Sequence, residues 1–263
     1  MPTLPIPQPF LQDLDGRRIL VTGGSTGIGA AVAVAFARCG ARVALHFNRS
    51  EKAAQSVAAE ISSFNGTVIQ LKGDLSQQNE PRRIVEQAVH GLGGLDVLIN
   101  NAGSLIRRAP FFEVDDYLIN EVIDLNVRAV ISACQAAIPH LEGRPGSTII
   151  NVGSIAGNDG GGPGAGIYAS AKAFVHNLTR HLARDLGPKG IRVNAVAPGV
   201  IDTPFHAATP PERMEAMRKA IYLGRIGKAD DCVGAFLFLA SPAMSGYVTG
   251  QVLHVNGGQL MPA

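Results

Sequence analysis

The sequence predicts an α/β fold: a single doubly wound domain whose parallel sheet of about seven strands carries helices on both faces. Three observations predict it. Short β-branched or apolar runs alternate with longer runs of helical periodicity from one end to the other. The strand-like runs are apolar at successive positions, as in strands buried on both sides. No Pro/Ser-rich linker and no repeat of fixed period divides the 263 residues, and 46% hydrophobic against 17% charged residues suits one large core.

The opening segment, "MPTLPIPQPFLQDL", is interrupted by prolines, and we expect an extended arm over 1–14 followed by one domain over 15–263. It lacks the charged start and apolar centre of a secretory signal. "RILVTG" (18–23) reads as the first strand and "GIGAAVAVAFARCG" (27–40) as the first helix. "RVALHF" (42–47), "TVIQLKGD" (67–74), "LDVLINNAG" (95–103), "STIINVGS" (147–154), "IRVNAVAPG" (191–199) and "QVLHVNGG" (251–258) continue the strands. Helical patterns fall between them over 50–64, 81–90, 115–140, 168–186 and 229–239. The stretch 203–227 reads as a helical lid with Phe205, Met214, Met217, Ile221 and Tyr222 on its underside.

A formal net charge of +2 and the absence of a basic block with interleaved aromatics argue against a nucleic-acid partner. The apolar runs read as too short to span a bilayer, so no membrane association is expected and the cytoplasm is the default compartment. Cys39, Cys134 and Cys232 are far apart and without a CxxC, which reads as buried reduced thiols; no HExxH pattern occurs and no metal is expected.

"VTGGSTGIG" ends the first strand and opens the first helix. Gly23, Gly27 and Gly29, with Ser25, Thr26 and Ile28 between them, form a turn tight enough to bring backbone N–H groups against a pyrophosphate at a helix N-terminus, the device of a Rossmann domain. At the end of the second strand, where a reader of the ribose 2′-hydroxyl would be acidic, the sequence has Asn48, Arg49 and Ser50. Arg49 can fork onto a 2′-phosphate, with Asn48 and Ser50 donating beside it, which favours NADP(H) while leaving NAD(H) open. Glu51, next to Arg49, is the residue that speaks against this.

From "INNAG" (99–103) onward the pattern resembles the short-chain dehydrogenase/reductase family, and the resemblance runs from about Gly16 to the C-terminal "VTGQVLHVNGG". The ordered set is TGGSTGIG, Asp74, Asn100-Asn101-Ala102-Gly103, Asn126, Ser154, Tyr168, Lys172 and "PGVIDTP" (198–204). The resemblance implies that Asp74 and Leu75 hold the adenine, that Asn101, Ala102 and Gly103 lie along the cofactor, and that Pro198, Gly199, Ile201 and Thr203 touch its nicotinamide side. It implies a homotetramer (or homodimer) built on the helices near 115–140 and 168–186. Two departures stand out: Thr26 occupies a position that is often basic in NADP-using members, and Ser154 and Tyr168 are 14 apart, one more than usual.

Tyr168 and Lys172 share a helix face by their i, i+4 spacing. A free phenol has a pKa of about 10, and lowering it to about 7.5 takes roughly 3.4 kcal/mol. A lysine ammonium at about 5 Å and an effective dielectric near 20 supplies roughly 3.3 kcal/mol. The pair is therefore expected to be a tuned acid/base, with the Ser154 hydroxyl polarising a carbonyl, Lys172 also holding the nicotinamide ribose, and Asn126 anchoring a water that relays the replacement proton. Alone, each has a plainer reading: an amphipathic helix face for Tyr168 and Lys172, a strand-end cap for Ser154, a helix kink for Asn126.

The expected function is NADP(H)-dependent interconversion of a carbonyl and a secondary alcohol, closest to the 3-oxoacyl-acyl-carrier-protein reductase type, on a small carbonyl or alcohol or an acyl thioester. A sugar or polyol dehydrogenase of the same family is the alternative, and a non-catalytic NADP-binding regulatory protein the alternative of another class. A methyltransferase sheet fits the glycine loop but gives Tyr168 and Lys172 no role. "SLIRRAPFFEV" borders the substrate side, where Arg107 and Arg108, extended by Arg144 and Lys189, are either solvated charges or an attraction for an acidic partner.

Overall fold

The computed structural model describes residues 11–262. Seven parallel strands form the central sheet: β1 (Arg18–Val21), β2 (Arg42–Phe47), β3 (Thr67–Lys72), β4 (Val97–Asn100), β5 (Thr148–Val152), β6 (Arg192–Pro198) and β9 (Val252–Val255). Their spatial order is β3-β2-β1-β4-β5-β6-β9, so the expected seven-stranded doubly wound sheet is present. β4, β5 and β6 are buried along their whole length, whereas the edge strands β3 and β9 are half-exposed. That gradient explains the near-continuous apolar runs of the inner strands.

One face of the sheet is covered by α1 (Gly27–Arg38), α2 (Glu51–Ser63) and α9 (Ala229–Ala240), through Val32, Phe36, Ile61 and Phe236. The other is covered by α3 (Glu80–Leu92), α5 (Ala129–Leu141) and α7 (Gly166–Leu186), through Ile84, Ala133, Ala137 and Val175. α3 ends where the chain turns through Gly93 at φ +76°, which a side chain would strain. Buried polar groups tie the layers together. Asn100 donates to Asn151 at 2.9 Å, Asn151 donates to Thr179 of α7 at 3.0 Å, and Arg192 donates to the last carbonyls of α9 and to Ser245.

α4 (Asp116–Ile123) joins α5 through a π turn over Asp124–Arg128. Together they make a 26-residue helical run, Asp116–Leu141, long and apolar enough by length and composition to cross a membrane. This corrects the expectation that no such run exists; its most apolar window is half buried in the fold, which is why it reads as apolar. Short elements complete the chain: α6 (Ala156–Asp159), β7 (Ile201–Asp202), α8 (Pro211–Lys219), β8 (Gly227–Lys228) and α10 (Pro242–Ser245). Parallel pairing of β7 with β8 clips together the two ends of the lid segment, a feature two-residue strands hide in the sequence.

Most of the expected arm lies outside the described residues. Its last three, Gln12–Leu14, are a 3-10 turn instead of extended chain, because Leu14 is buried in the core and Asp13 accepts from Ser241 and the Ala243 N–H. The lid also differs in detail. Ile221 is buried as expected, but Tyr222 is 79% exposed and Phe205 44%, so the apolar underside is narrower than its periodicity suggests. Cys134 and Cys232 are buried thiols and Cys39 is half-buried.

Candidate active site

Strand order reverses between β1 and β4, and a crevice opens beyond their carboxyl ends. The glycine turn leaves β1 there. A Cβ at Gly29 would stand 2.2 Å from the Gly23 carbonyl oxygen, and Gly23 and Gly27 have φ of +63° and +55°. Only glycine fits this close approach. Thr22 accepts the N–H groups of Asn101 and Ala102 at 2.9 and 3.0 Å, and Asn101 donates back to the carbonyls of Thr22 and Gly23. Behind the turn, buried His46 accepts the Gly23 N–H through Nδ1 at 3.1 Å and donates through Nε2 to the Gly73 carbonyl at 3.1 Å. Burial pushes the His46 pKa down to about 4, so the ring stays neutral and keeps its acceptor.

The crevice is a cavity of about 1180 Å³, roomier than the ~300–1,000 Å³ typical of single-ligand pockets. Its walls hold Gly23, Ser25, Thr26, Gly27, Ile28, Gly29, Asn48, Arg49, Ser50, Asp74, Leu75, Asn101, Ala102, Gly103, Ser154, Tyr168, Lys172, Pro198, Gly199, Ile201 and Thr203. Of the residues expected at the site, Asn126 alone is not in the wall. At the far end, burial raises the Asp74 pKa but is outweighed by hydrogen bonds from Ser76 and Asn48 and by the charge of Arg49, leaving the carboxylate below its usual range. Glu51 does not occupy Arg49, because it pairs with Lys72 at 2.9 Å. No carboxylate lies within 4.0 Å of Arg49 among the described residues.

At the other end, Tyr168 and Lys172 project from the first turns of α7 and Ser154 follows β5. The segment between Ser154 and Tyr168 forms α6 and then turns through Gly160, Gly161 and Gly164, all at positive φ. Ser154 is near enough to the phenol to favour its charged form. The expected lowering of the phenol is corrected: burial pushes Tyr168 up to about 12, against the pull of Ser154. Lys172 is buried, its pKa is brought down to about 8, and its Nζ donates to the Val152 carbonyl at 2.8 Å, 5.6 Å from the tyrosine ring centre. Burial thus dominates the environment of both groups, raising the phenol and lowering the ammonium.

Asn126 stands behind the wall on the π turn, fully buried. Its Nδ2 donates to the carbonyls of Val122 and Ser104 at 2.9 Å each, and its Oδ1 accepts the Ser104 N–H at 3.2 Å. A Cβ on Gly103 would meet both Asn126 Oδ1 and Lys172 Nζ, so these two groups look onto one point. Sequence reading missed His176, one turn beyond Lys172. Its Nε2 accepts the Ser154 N–H at 3.3 Å, and its ring fills space that a Cβ on Gly153 would invade at 2.1 Å. Burial, with the charges of Arg180 and Lys172 and the nearby His254, lowers its pKa to about 4. The i+4 spacing from Lys172 was the available signal; a histidine on an apolar helix face ordinarily marks packing.

The arrangement fits a nicotinamide dinucleotide. A cradle that a Cβ would fill, an unengaged arginine at one end and a phenol–ammonium–hydroxyl trio at the other are what its pyrophosphate, 2′-phosphate and reacting ring require. A family profile described as enoyl-(acyl carrier protein) reductase matches residues 23–259. The chain is 37% identical over 249 residues to a 3-oxoacyl-acyl-carrier-protein reductase of Staphylococcus aureus, covering 93% of this chain and 98% of that protein. It resembles a short-chain dehydrogenase of Burkholderia cenocepacia solved with NADP, with TM-score 0.88, 38% identity and 94% and 99% coverage. An NADH-dependent reductase responsible for alginate metabolism is equally similar, with TM-score 0.88, 38% identity and 95% and 100% coverage.

Proposed function

Because the chain belongs to the short-chain dehydrogenase/reductase family of NAD(P)-dependent oxidoreductases, we propose that it is an NADP(H)-preferring reductase that converts a carbonyl to a secondary alcohol with Tyr168 as its acid, and that 3-oxoacyl thioesters are its first substrate class. The observation that carries this reading is the trio of Ser154, Tyr168 and Lys172 in the same cavity wall as the glycine turn. When bound, the nicotinamide supplies or accepts the hydride. Gly23, Gly27 and Gly29 cradle the pyrophosphate, Asp74 and Leu75 border the adenine, and Arg49 with Asn48 and Ser50 takes the 2′-phosphate, for which NADP in the Burkholderia relative is a precedent.

A phenol held at about 12 keeps its proton throughout the neutral range, which suits a general acid in the reductive direction. Tyr168 delivers that proton to the carbonyl oxygen as negative charge grows there, and the Ser154 hydroxyl donates to the same oxygen. His176 fixes the backbone that presents Ser154. The Lys172 ammonium stabilises the phenolate left behind and, near its own pKa of about 8, passes a proton back toward it. Asn126 pins the Ser104 backbone and faces Lys172 at the rear of that path.

Phe111, Phe112 and Phe174 are 82%, 86% and 45% exposed around the α4–α5 and α7 face, where copies of the chain would cover them in a cytoplasmic homotetramer or homodimer. The likeness to the reductase of alginate metabolism favours a sugar-derived carbonyl as the second substrate class. The test is cofactor oxidation with NADPH and NADH, using acetoacetyl thioesters, with sugars and polyols assayed in reverse. Thioester reduction with NADPH is expected; turnover of sugars alone would move the enzyme to the second class, and tight NADPH binding without turnover would make it a non-catalytic binder.

A further inference from the structure

The adjacent arginines after β4 have different surroundings. Arg107 pairs with Asp115 at 2.8 Å, and Lys189, which the sequence placed on the same basic surface, pairs with Glu142 at 2.7 Å. Arg108 is half-buried in the wall of the large cavity, and its Nη1 donates to the Pro163 carbonyl at 2.9 Å. Arg213, on the first turn of α8, donates through Nη2 to the same carbonyl at 3.3 Å. Neither has a carboxylate within 4.0 Å among the described residues.

Two guanidinium groups thus converge on one neutral oxygen. The glycine-rich loop that carries the extra residue before Tyr168 makes this approach possible: a Cβ at Gly162 would stand 2.9 Å from Arg213 Nη2, and one at Gly164 would stand 3.0 Å from Arg108 Cβ. Of the acids nearby, Asp159 accepts the Gly161 N–H at 2.8 Å and the Asp202 charge acts on His206; neither is paired with Arg108 or Arg213. Burial and the charge of Arg213 both lower the Arg108 pKa, the mark of a cation short of a counter-charge. Arg108 lies on the lid side of the catalytic tyrosine: the Phe205 ring is 5.6 Å from that of Tyr168 and 5.2 Å from that of His206, and the His206 ring feels the Arg108 charge, while Arg213 reaches the same loop from α8 through the Pro163 carbonyl.

We propose that Arg108 and Arg213 form the binding point for an anionic oxygen group, a carboxylate or a phosphate, carried by the carbonyl substrate. This rests on the reductase reading above. One N–H of each guanidinium goes to Pro163, and the remaining donors of each planar fork are free to take the oxygens of the anion. The anion also relieves the repulsion between the two cations.

The test compares matched pairs on the NADPH-loaded enzyme: acetoacetate against methyl acetoacetate, levulinate against its methyl ester, and dihydroxyacetone phosphate against dihydroxyacetone. The wild type is expected to favour the anionic member by about tenfold or more in kcat/KM, as charge-assisted pairing would give. Arg108→Gln and, separately, Arg213→Gln should bring that ratio toward one. The first two pairs against the third separate carboxylate from phosphate. Calorimetric titration of the NADP-loaded protein with acetoacetate and its ester reads the same preference without turnover, so failure of hydride transfer is distinguishable from failure of anion binding. Equal treatment of charged and neutral partners, or a ratio unchanged in both variants, overturns the proposal.

Discussion

Arg49 stands just beyond β2 in the wall of the cofactor cavity without a carboxylate within 4.0 Å among the described residues, because the acid next to it in sequence is bound to Lys72 on the neighbouring strand. A charge-assisted bond to a 2′-phosphate contributes about 1.5–3 kcal/mol. Arg49→Ala is therefore expected to weaken NADPH binding by about 10- to 100-fold and to leave NADH binding nearly unchanged, as read by fluorescence titration; equal loss for both cofactors would remove Arg49 from that role. Arg49 was legible because it ends a strand where a ribose reader belongs. The engagement of Glu51 was not, since it depends on sheet register between segments more than twenty residues apart. For the same reason His46 and His176 escaped notice: each accepts a backbone N–H from a distant segment, Gly23 and Ser154. The Tyr168–Lys172 spacing gave the right face of the helix, but Coulomb's law alone gave the wrong sign for the phenol, because burial was invisible.

At the scale of elements, the turn between β1 and α1 is the least tolerant piece of the site. A methyl at position 29 would sit 2.2 Å from a backbone oxygen and 2.5 Å from the Asn101 amide. Overpacking of this kind costs about 1–3 kcal/mol. Gly29→Ala is expected to lower NADPH affinity by tenfold or more while the far-ultraviolet circular dichroism stays that of the wild type; unchanged affinity would show that the turn does not cradle the cofactor. The glycine spacing told this much in advance. The loop before Tyr168 was less legible: its length was noted, but not that α6 and three glycines at positive φ would bring the Pro163 carbonyl against two arginines. The lid is less apolar than its periodicity suggests, because periodicity cannot tell that Tyr222 turns to solvent.

For the whole molecule, the sheet was legible because its inner strands are buried on both faces and so advertise themselves in sequence, whereas two-residue strands and the 3-10 turn at Gln12–Leu14 carry no period to read. Stability has its own signature of this packing. His46 is held at about 4 in the fold but near about 6.5 in the unfolded chain, so between those values the unfolded chain binds a proton the fold refuses. Stability should fall by roughly 3 kcal/mol from this residue as the pH drops from about 6.5 to about 4, with His176 adding in the same direction. Urea midpoints over that range should slope less in a His46→Gln/His176→Gln double variant; identical slopes would place the acid sensitivity elsewhere. The central claim is that one cavity both holds a reduced nicotinamide and presents a tyrosine as the acid, and the most direct test is Tyr168→Phe, assayed for NADPH binding and for carbonyl reduction in the same preparation. Cofactor affinity within about twofold of wild type and a loss of about 10²–10⁴-fold in kcat are expected. Turnover comparable to wild type in that variant would rule out Tyr168 as the acid.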